Sequence, residues 1–236
     1  MSDLQPWTRA AVNLSEHADN IIHTDAGARA AGFAGALVAG TTIYAYMTHP
    51  PAVAWGDDWI GGGGGEVWFR RPVLDGELVE CVIDATGVAP RVVATVGGEE
   101  RCVFEVWRAV AAPGPRPGDD LPMFELALGD AWADYGLRAG DDLTFYSERG
   151  IVHPAAWPSI ANNVFKRFLV DGPWIHTRSR IYHQAVVRAD ATVAVQATVV
   201  DRFDSRAGER ALVDIVIGVD DEPVCTIEHE AIVRLP

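Results

Sequence analysis

The stretch Ala18-Asp19-Asn20-Ile21-Ile22-His23-Thr24-Asp25, followed by Gly32-Phe33-Ala34-Gly35-Ala36-Leu37-Val38-Ala39-Gly40, decides the reading of this chain. It leads into Ala36 to Thr48, which reads as a helix. There Leu37, Thr41, Tyr44 and Thr48 fall on one stripe, and Gly40, Ile43 and Met47 on another. Almost nothing in the segment is charged, so the helix is expected to be buried nearly all round. Strands follow it. Glu77 to Thr86 alternates with period two, and Arg91–Val96 with Arg101–Val110 reads as a hairpin closed by Gly97-Gly98. Trp59-Ile60 and the five glycines Gly61 to Gly65 precede the first strand. The glycines lack the Gly-Lys-(Ser/Thr) ending of a phosphate loop. They read instead as a strand entry beside a ligand tunnel, or as a plain hairpin.

The same order of elements recurs further on. Ala111 to Asp120 holds Pro113, Pro115 and Pro117 among small residues, a run that continues neither strand nor helix. Beyond it Val152 to Phe168 reads as a second helix, with Pro154 and Pro158 confining its regular part to the later residues. Val38 and Val152 share an offset of 114, as do Val67-Trp68 and Ile181-Tyr182, Val73 and Val187, and Val79 and Val193. Ala191 to Val200 is another alternating strand. Ala211–Val219 and Val224–Val233 form a hairpin through Asp220-Asp221, and Asp201 to Glu209 reads as a modest second linker. The chain is therefore expected to be an internal duplication of α+β class. Residues 1–112 and 130–236 form two units joined by 113–129, each an antiparallel sheet wrapped round one helix.

Composition narrows the function. The 236 residues are 49% hydrophobic and 22% charged, which excludes a disordered chain. No stretch reaches the roughly 18 apolar residues of a spanning helix, and Met1 to Trp7 does not resemble a signal peptide. The net charge of −14 argues against nucleic acid. Lys166 is the only lysine, so an anionic ligand would need a local arginine cluster. Cys81, Cys102 and Cys225 are too few for a disulfide framework, so a cytoplasmic protein is expected, and Cys81 and Cys102, in apolar strand-like runs, are expected to be buried. His153, His176, His183 and His229 lack the spacing of a metal site, and no metal is expected.

The opening stretch resembles the MaoC-like family of (R)-specific enoyl-CoA hydratases and dehydratases. Asn20, Ile22, His23 and Asp25 match its Asp-x-Asn-Pro-(Leu/Ile)-His-x-Asp motif, and Gly32, Phe33 and Gly40 match the segment entering the central helix. Phe69, Pro72, Val73 and Gly76 fit its later Phe-x-x-Pro-Val-x-x-Gly pattern. The resemblance spans about residues 10 to 110 and implies a hot-dog fold; with the repeat it implies a double hot-dog. It departs at Ile21, where the family has proline, and at Ala18, where the family has its acid.

The resemblance implies that water adds across a 2-enoyl thioester carried by coenzyme A or an acyl carrier protein. No cofactor is implied beyond coenzyme A as part of the substrate. His23 is the expected acid–base residue. With Ala18 unable to move a proton, Asp25 is expected to assist it in preference to Asp19, and Asn20 to contact substrate. Gly40 and Thr41 open the helix, where free N–H groups and the helix dipole favour a developing enolate. Arg178, Arg180, Lys166 and Arg167 are the candidate phosphate-binding cations. The offset places Leu137 and Pro154 where the first half has His23 and Gly40, so a single site is expected, in the first half. Two rivals stand beside hydration. One is thioester hydrolysis, with Glu66 or Asp25 activating water. The other is a non-catalytic acyl-thioester-binding protein. No membrane partner is expected, and a homodimer is compatible with the reading.

Overall fold

A computed structural model of the chain describes residues 3–235. Met1, Ser2 and Pro236, the outer limits of the two expected units, lie outside the described residues. The first unit contains β1 (Trp7–Ala10), α1 (Asp25–Ala30), α2 (Gly40–Ile60), β2 (Gly64–Phe69), β3 (Leu78–Asp84), β4 (Arg91–Val96) and β5 (Glu99–Trp107). Next come the short β6 (Asp119–Asp120) and β7 (Phe124–Ala127), then the helices α3 (Tyr135–Arg138), α4 (Phe145–Arg149) and α5 (Ala156–Phe168). The chain closes with β8 (Ile175–His183), β9 (Thr192–Ser205), β10 (Gly208–Val219) and β11 (Glu222–Arg234).

These strands form one eleven-stranded sheet in the order β1-β3-β4-β5-β2-β8-β11-β10-β9-β6, with β7 also on β9. Outward from the centre, the left half runs β2, β5, β4, β3 and the right half β8, β11, β10, β9. Taking each unit's strands in chain order, both halves have the arrangement first, fourth, third, second, so the duplication read from the offset is present in the topology. At the central seam β2 pairs antiparallel with β8, and Glu66 lies directly opposite Arg180. Those two positions are 114 residues apart, so equivalent residues of the two repeats meet at the midpoint of the seam. Glu66 is 7% exposed. One of its oxygens accepts from Arg178 at 2.9 Å and the other from the Arg180 guanidinium at 2.6 and 3.0 Å.

The helix α2 is buried from Thr41 to Ala52, as its lack of charge predicts. It runs twelve residues past the expected end at Thr48, through Pro50 and Pro51, before its backbone breaks at Gly56 (φ 52°, ψ −133°) and it closes at Ile60. Two prolines withhold two N–H groups from the helix ladder; both are buried, and the helix continues through them. Trp59-Ile60 therefore closes the helix.

The glycine run serves packing. A Cβ on Gly64 (φ +148°) would sit 2.0 Å from the Ile181 carbonyl oxygen, and one on Gly65 would sit 2.1 Å from the Phe104 ring. The strands approach too closely there for any side chain, and the reading of these glycines as the wall of a ligand tunnel is corrected.

Two linkers also shrink. Within 113–129, β6 and β7 both add to the edge of the second half by pairing with β9. Asp201 to Glu209 belongs to the β9–β10 hairpin, where Arg202 faces Ala211 and Asp204 faces Glu209 across the ladder. Charged residues at an exposed strand end were mistaken for loop. The three cysteines are free and buried, as expected for Cys81 and Cys102.

Candidate active site

A cavity of about 500 Å³ opens between the His23 loop, the start of α2, the end of β2 and the second half's α5 and β8. His23, Asn20, Gly40, Phe69, His176 and Trp174 are among the residues lining it. Both units therefore build it, although the loop carrying the sequence motif belongs to the first.

The loop is held by its own polar groups. Asn13 Nδ2 donates to the His23 carbonyl at 2.9 Å, and the Leu37 N–H donates to the Ile22 carbonyl at 3.0 Å. These bonds tie the 3₁₀ turn Ile21–His23 to the chain that enters α2. His23 Nδ1 lies 2.8 Å from the Leu37 carbonyl oxygen. A carbonyl only accepts, so Nδ1 carries the proton and Nε2 keeps a lone pair. Burial lowers the His23 pKa, with the Leu37 bond opposing more weakly, so the ring is neutral at neutral pH. Asn20 donates from Nδ2 to the Trp174 carbonyl at 2.9 Å, which fastens the loop to the second half. Its Oδ1 is buried without a protein partner.

Gly40 is the first residue of α2, after Ala39 in extended conformation. The N–H groups of Gly40 and Thr41 precede the first carbonyl within reach of the helix ladder, so the cavity meets free donors at a positive helix end. The Thr41 side chain is placed elsewhere than expected: it is 1% exposed, with Oγ1 taking a 3.4 Å bond from the Tyr135 hydroxyl. Thr41 is not among the residues lining the cavity, and Gly40 is the residue through which the helix start meets it.

Several expected residues lie outside the cavity. Asp25 is two-thirds exposed at the start of α1, and its Oδ1 accepts the Ala36 N–H at 3.1 Å. Its expected partnership with His23 is corrected, because the short helix that it opens turns the carboxylate to solvent. Asp19 does line the cavity, paired with Lys166. Arg178 and Arg180 are held at the seam by Glu66, and Arg178 also by Glu228. Arg167 lies over the Phe124 ring at 4.2 Å. Of the four expected phosphate-binding cations only Lys166 reaches the cavity. Arg70, Arg71 and Arg210 reach it instead. Arg70 and Arg71 pair with Glu100 and Glu99 at 2.6 and 3.2 Å, on exposed surface where such pairs are weak and exchange partners readily. Glu66, weighed as a water activator, is consumed by its two arginines.

The sequence also passed over two cavity histidines. His17, one residue before Ala18, bonds through Nε2 to the Tyr135 hydroxyl at 2.9 Å and sets its ring 5.9 Å from that of His23. Burial, then the neighbouring His23, lowers its pKa to about 4. Its adjacency to the family's acid position was the available signal. His176, on β8, bonds through Nε2 to Ser179 Oγ at 2.7 Å, and Ser179 bonds to His229 Nδ1 at 2.8 Å. Ser179 and His229 are 50 residues apart, and no local pattern shows that contact. His153 is buried and does not line the cavity; its Nδ1 accepts the Ala155 N–H at 3.1 Å.

Among the described residues one group has metal-ligating character, His49 with Asp141 and Asp142, and it is not part of the cavity. There His49 Nδ1 bonds Asp141 Oδ1 at 2.8 Å, and that oxygen also accepts the N–H groups of Asp142 and Leu143. No helix among the described residues is long and apolar enough to cross a membrane.

No family model and no curated protein matches the sequence. Solved structures do match the fold over essentially its whole length. A candidate MaoC-domain dehydratase from Chloroflexus aurantiacus superposes with a TM-score of 0.65 at 11% identity, covering 100% of this chain and 97% of that one. A Mycobacterium tuberculosis protein described as having a double hotdog fold gives 0.58 at 14% identity, covering 98% and 96%. The chain is a double hot-dog. An acyl-CoA thioesterase II from Mycobacterium marinum gives 0.53 at 15% identity, covering 85% and 91%. The double hot-dog architecture thus houses proteins described as dehydratases and as thioesterases, and the chemistry of this one rests on its cavity.

Proposed function

We propose that the protein adds water to 2-enoyl thioesters, and removes it from 3-hydroxyacyl thioesters, with His23 as the acid–base residue. The observation that carries this reading is the bond from His23 Nδ1 to the Leu37 carbonyl. It leaves Nε2 as a base on a ring that lines the same cavity as the free start of α2. In hydration, Nε2 and the open Asn20 Oδ1 each accept a hydrogen bond from one water. His23 takes a proton from that water as its oxygen bonds to C3. The electron pair of the C2–C3 double bond moves toward the thioester oxygen, where the Gly40 N–H at the positive end of α2 holds the enolate. The imidazolium then returns the proton to C2. Because burial lowers the His23 pKa, the ring is a free base beforehand and a ready acid afterwards. A single group suffices for both transfers, which accommodates alanine at position 18.

The thioester's phosphate-bearing arm fits Arg70, Arg71 and Lys166 along the cavity, three cations whose ion pairs are exposed, whereas Arg210 is held by the largely buried Glu230. The arm belongs to coenzyme A or to a carrier-protein prosthetic group. The carboxylates weighed for hydrolysis, Glu66 and Asp25, do not line this cavity. Crotonyl-CoA tests the reading. The wild-type protein is expected to bleach the enoyl absorbance without releasing thiol. His23→Ala should lower the rate by about 10²- to 10⁴-fold, and Asp25→Asn should leave it within a few-fold. Thiol release would replace hydration by hydrolysis, and binding without either change would make the protein a non-catalytic binder.

A further inference from the structure

The second half places a wired imidazole opposite the first half's helix end. A Cβ built on Gly40 would lie 3.5 Å from His176 Nδ1 and 3.3 Å from the Phe69 ring. The ring nitrogen and the opening of α2 therefore face each other across a gap that a side chain would fill. His176 is 9% exposed and lines the cavity, and its Nδ1 has no partner in the protein. The ring is clamped between Phe69, at a centroid distance of 4.4 Å, and His229, at 4.1 Å.

Proton counting in the His176–Ser179–His229 chain sets its direction. Ser179 has one hydroxyl proton, so it donates one of its two bonds and must accept the other. If His229 Nδ1–H donates to Ser179, then Ser179 donates to His176 Nε2, and His176 Nδ1 carries a proton into the cavity. In the reverse direction His176 Nδ1 is bare, and His229 is left with a proton on Nε2. That atom is buried without a partner in a residue that is 0% exposed. Each direction leaves one buried N–H without a protein partner, but only the one on His176 belongs to a residue lining the cavity, where a ligand oxygen can accept it. The reverse direction would also turn a lone pair toward that oxygen.

We propose that His176 donates its Nδ1–H to the thioester oxygen beside the Gly40 N–H of α2, and that Ser179 and His229 act as positioning residues that hold it in this tautomer. The assignment rests on the acyl-thioester reading above. It makes the cavity a joint construction, with the proton-moving group from the first half and a charge-stabilising donor from the second. Burial lowers the His176 pKa to about 3, so the ring meets the oxygen as a neutral donor.

The infrared carbonyl band of bound crotonyl-CoA labelled with ¹³C at C1 reads this contact directly, alongside hydration rates. The wild-type protein should shift the band to lower frequency. His176→Leu should lose part of that shift and about 10²- to 10³-fold in kcat, the usual loss on removing one oxyanion donor, with binding weakened only a few-fold. In the wild-type protein, ¹⁵N NMR of the histidines should show His176 protonated at Nδ1, and Ser179→Ala should mix its tautomers. An unchanged band in folded His176→Leu, or protonation at Nε2 in the wild-type protein, would overturn the assignment. The NMR arm decides even if the leucine variant does not fold. A His176-dependent band shift without hydration would uphold His176 and reject the proposed reaction. Hydration unaffected by His176→Leu would do the reverse.

Discussion

Lowering the pH from 7.5 to 5 should bring this protein close to unfolding, and the reason is its buried imidazoles. His153, His176, His183 and His229 are all buried in the fold. Burial pushes the pKa of His153 and His183 down to about 4 and that of His176 to about 3, with His229 moved in the same direction. In the unfolded chain each returns to about 6.5. The unfolded state therefore binds more protons between these values, and stability rises with pH across that window. The contribution is complete above pH 6.5 and is lost as the pH falls toward 4. At pH 5, about 1.5 units below the unfolded value, each such histidine has withdrawn about 2 kcal/mol. The three with assigned values together withdraw about 6 kcal/mol, against a total stability of about 5–15 kcal/mol for ordinary proteins. Most carboxylates titrate below this window, so it isolates the histidines. Easing of the −14 net charge acts in the opposite sense, and 0.15 M salt reduces it. Urea unfolding followed by tryptophan fluorescence at steps between pH 7.5 and 5 measures the slope. His153→Gln, which cannot titrate, should lose about 2 kcal/mol less over the same range. Unfolding free energies that stay level to within about 1 kcal/mol would refute the reasoning.

Glu66→Ala removes the carboxylate between Arg178 and Arg180 on β8, leaving Arg178 with Glu228 and Arg180 without its ion-pair partner. It should cost about 3 kcal/mol, the low end for breaking a buried ion pair because both arginines keep part of their surface in water, read as a drop in Tm. Gly65→Ala forces a methyl against Phe104 and the Glu105 carbonyl, and should destabilise by about 1–3 kcal/mol or prevent accumulation of soluble protein. Calorimetry with a non-reactive acyl-CoA thioether should give one site per chain; two equivalent sites would contradict the asymmetry between the halves. His153→Ala should leave hydration within a few-fold, since that ring does not line the cavity.

The fold was legible because it is written twice. Valines recurring at an offset of 114 and a helix followed by strands in each half anticipated the duplication; the shared strand order, and Glu66 facing its own repeat position Arg180, came only with the fold. Local chemistry misled where tertiary packing overrode it. Pro50 and Pro51 sit inside a buried helix, and Asp119–Asp120 pairs as a strand despite the prolines before it. In the site, His23, Asn20 and Gly40 were legible because one continuous segment positions them. Asp25 and the seam arginines were misassigned because charge in a sequence does not reveal its partner. Glu66, more than 110 residues away in sequence, neutralises Arg178 and Arg180. His176 was passed over for the same reason, since its relay runs through strands that meet only in the folded sheet.

The most direct test of a hydrating cavity built on His23 is a crystal structure with a 2-enoyl-CoA thioether or similar unreactive analogue bound. The account predicts the oxygen equivalent to the thioester carbonyl at the Gly40 N–H, with His176 Nδ1 beside it. It also predicts C3 about 3–3.5 Å from a water held by His23 and Asn20. An analogue seated on the α5 side with His23 unengaged, or with its carbonyl carbon instead of C3 against that water, would contradict it.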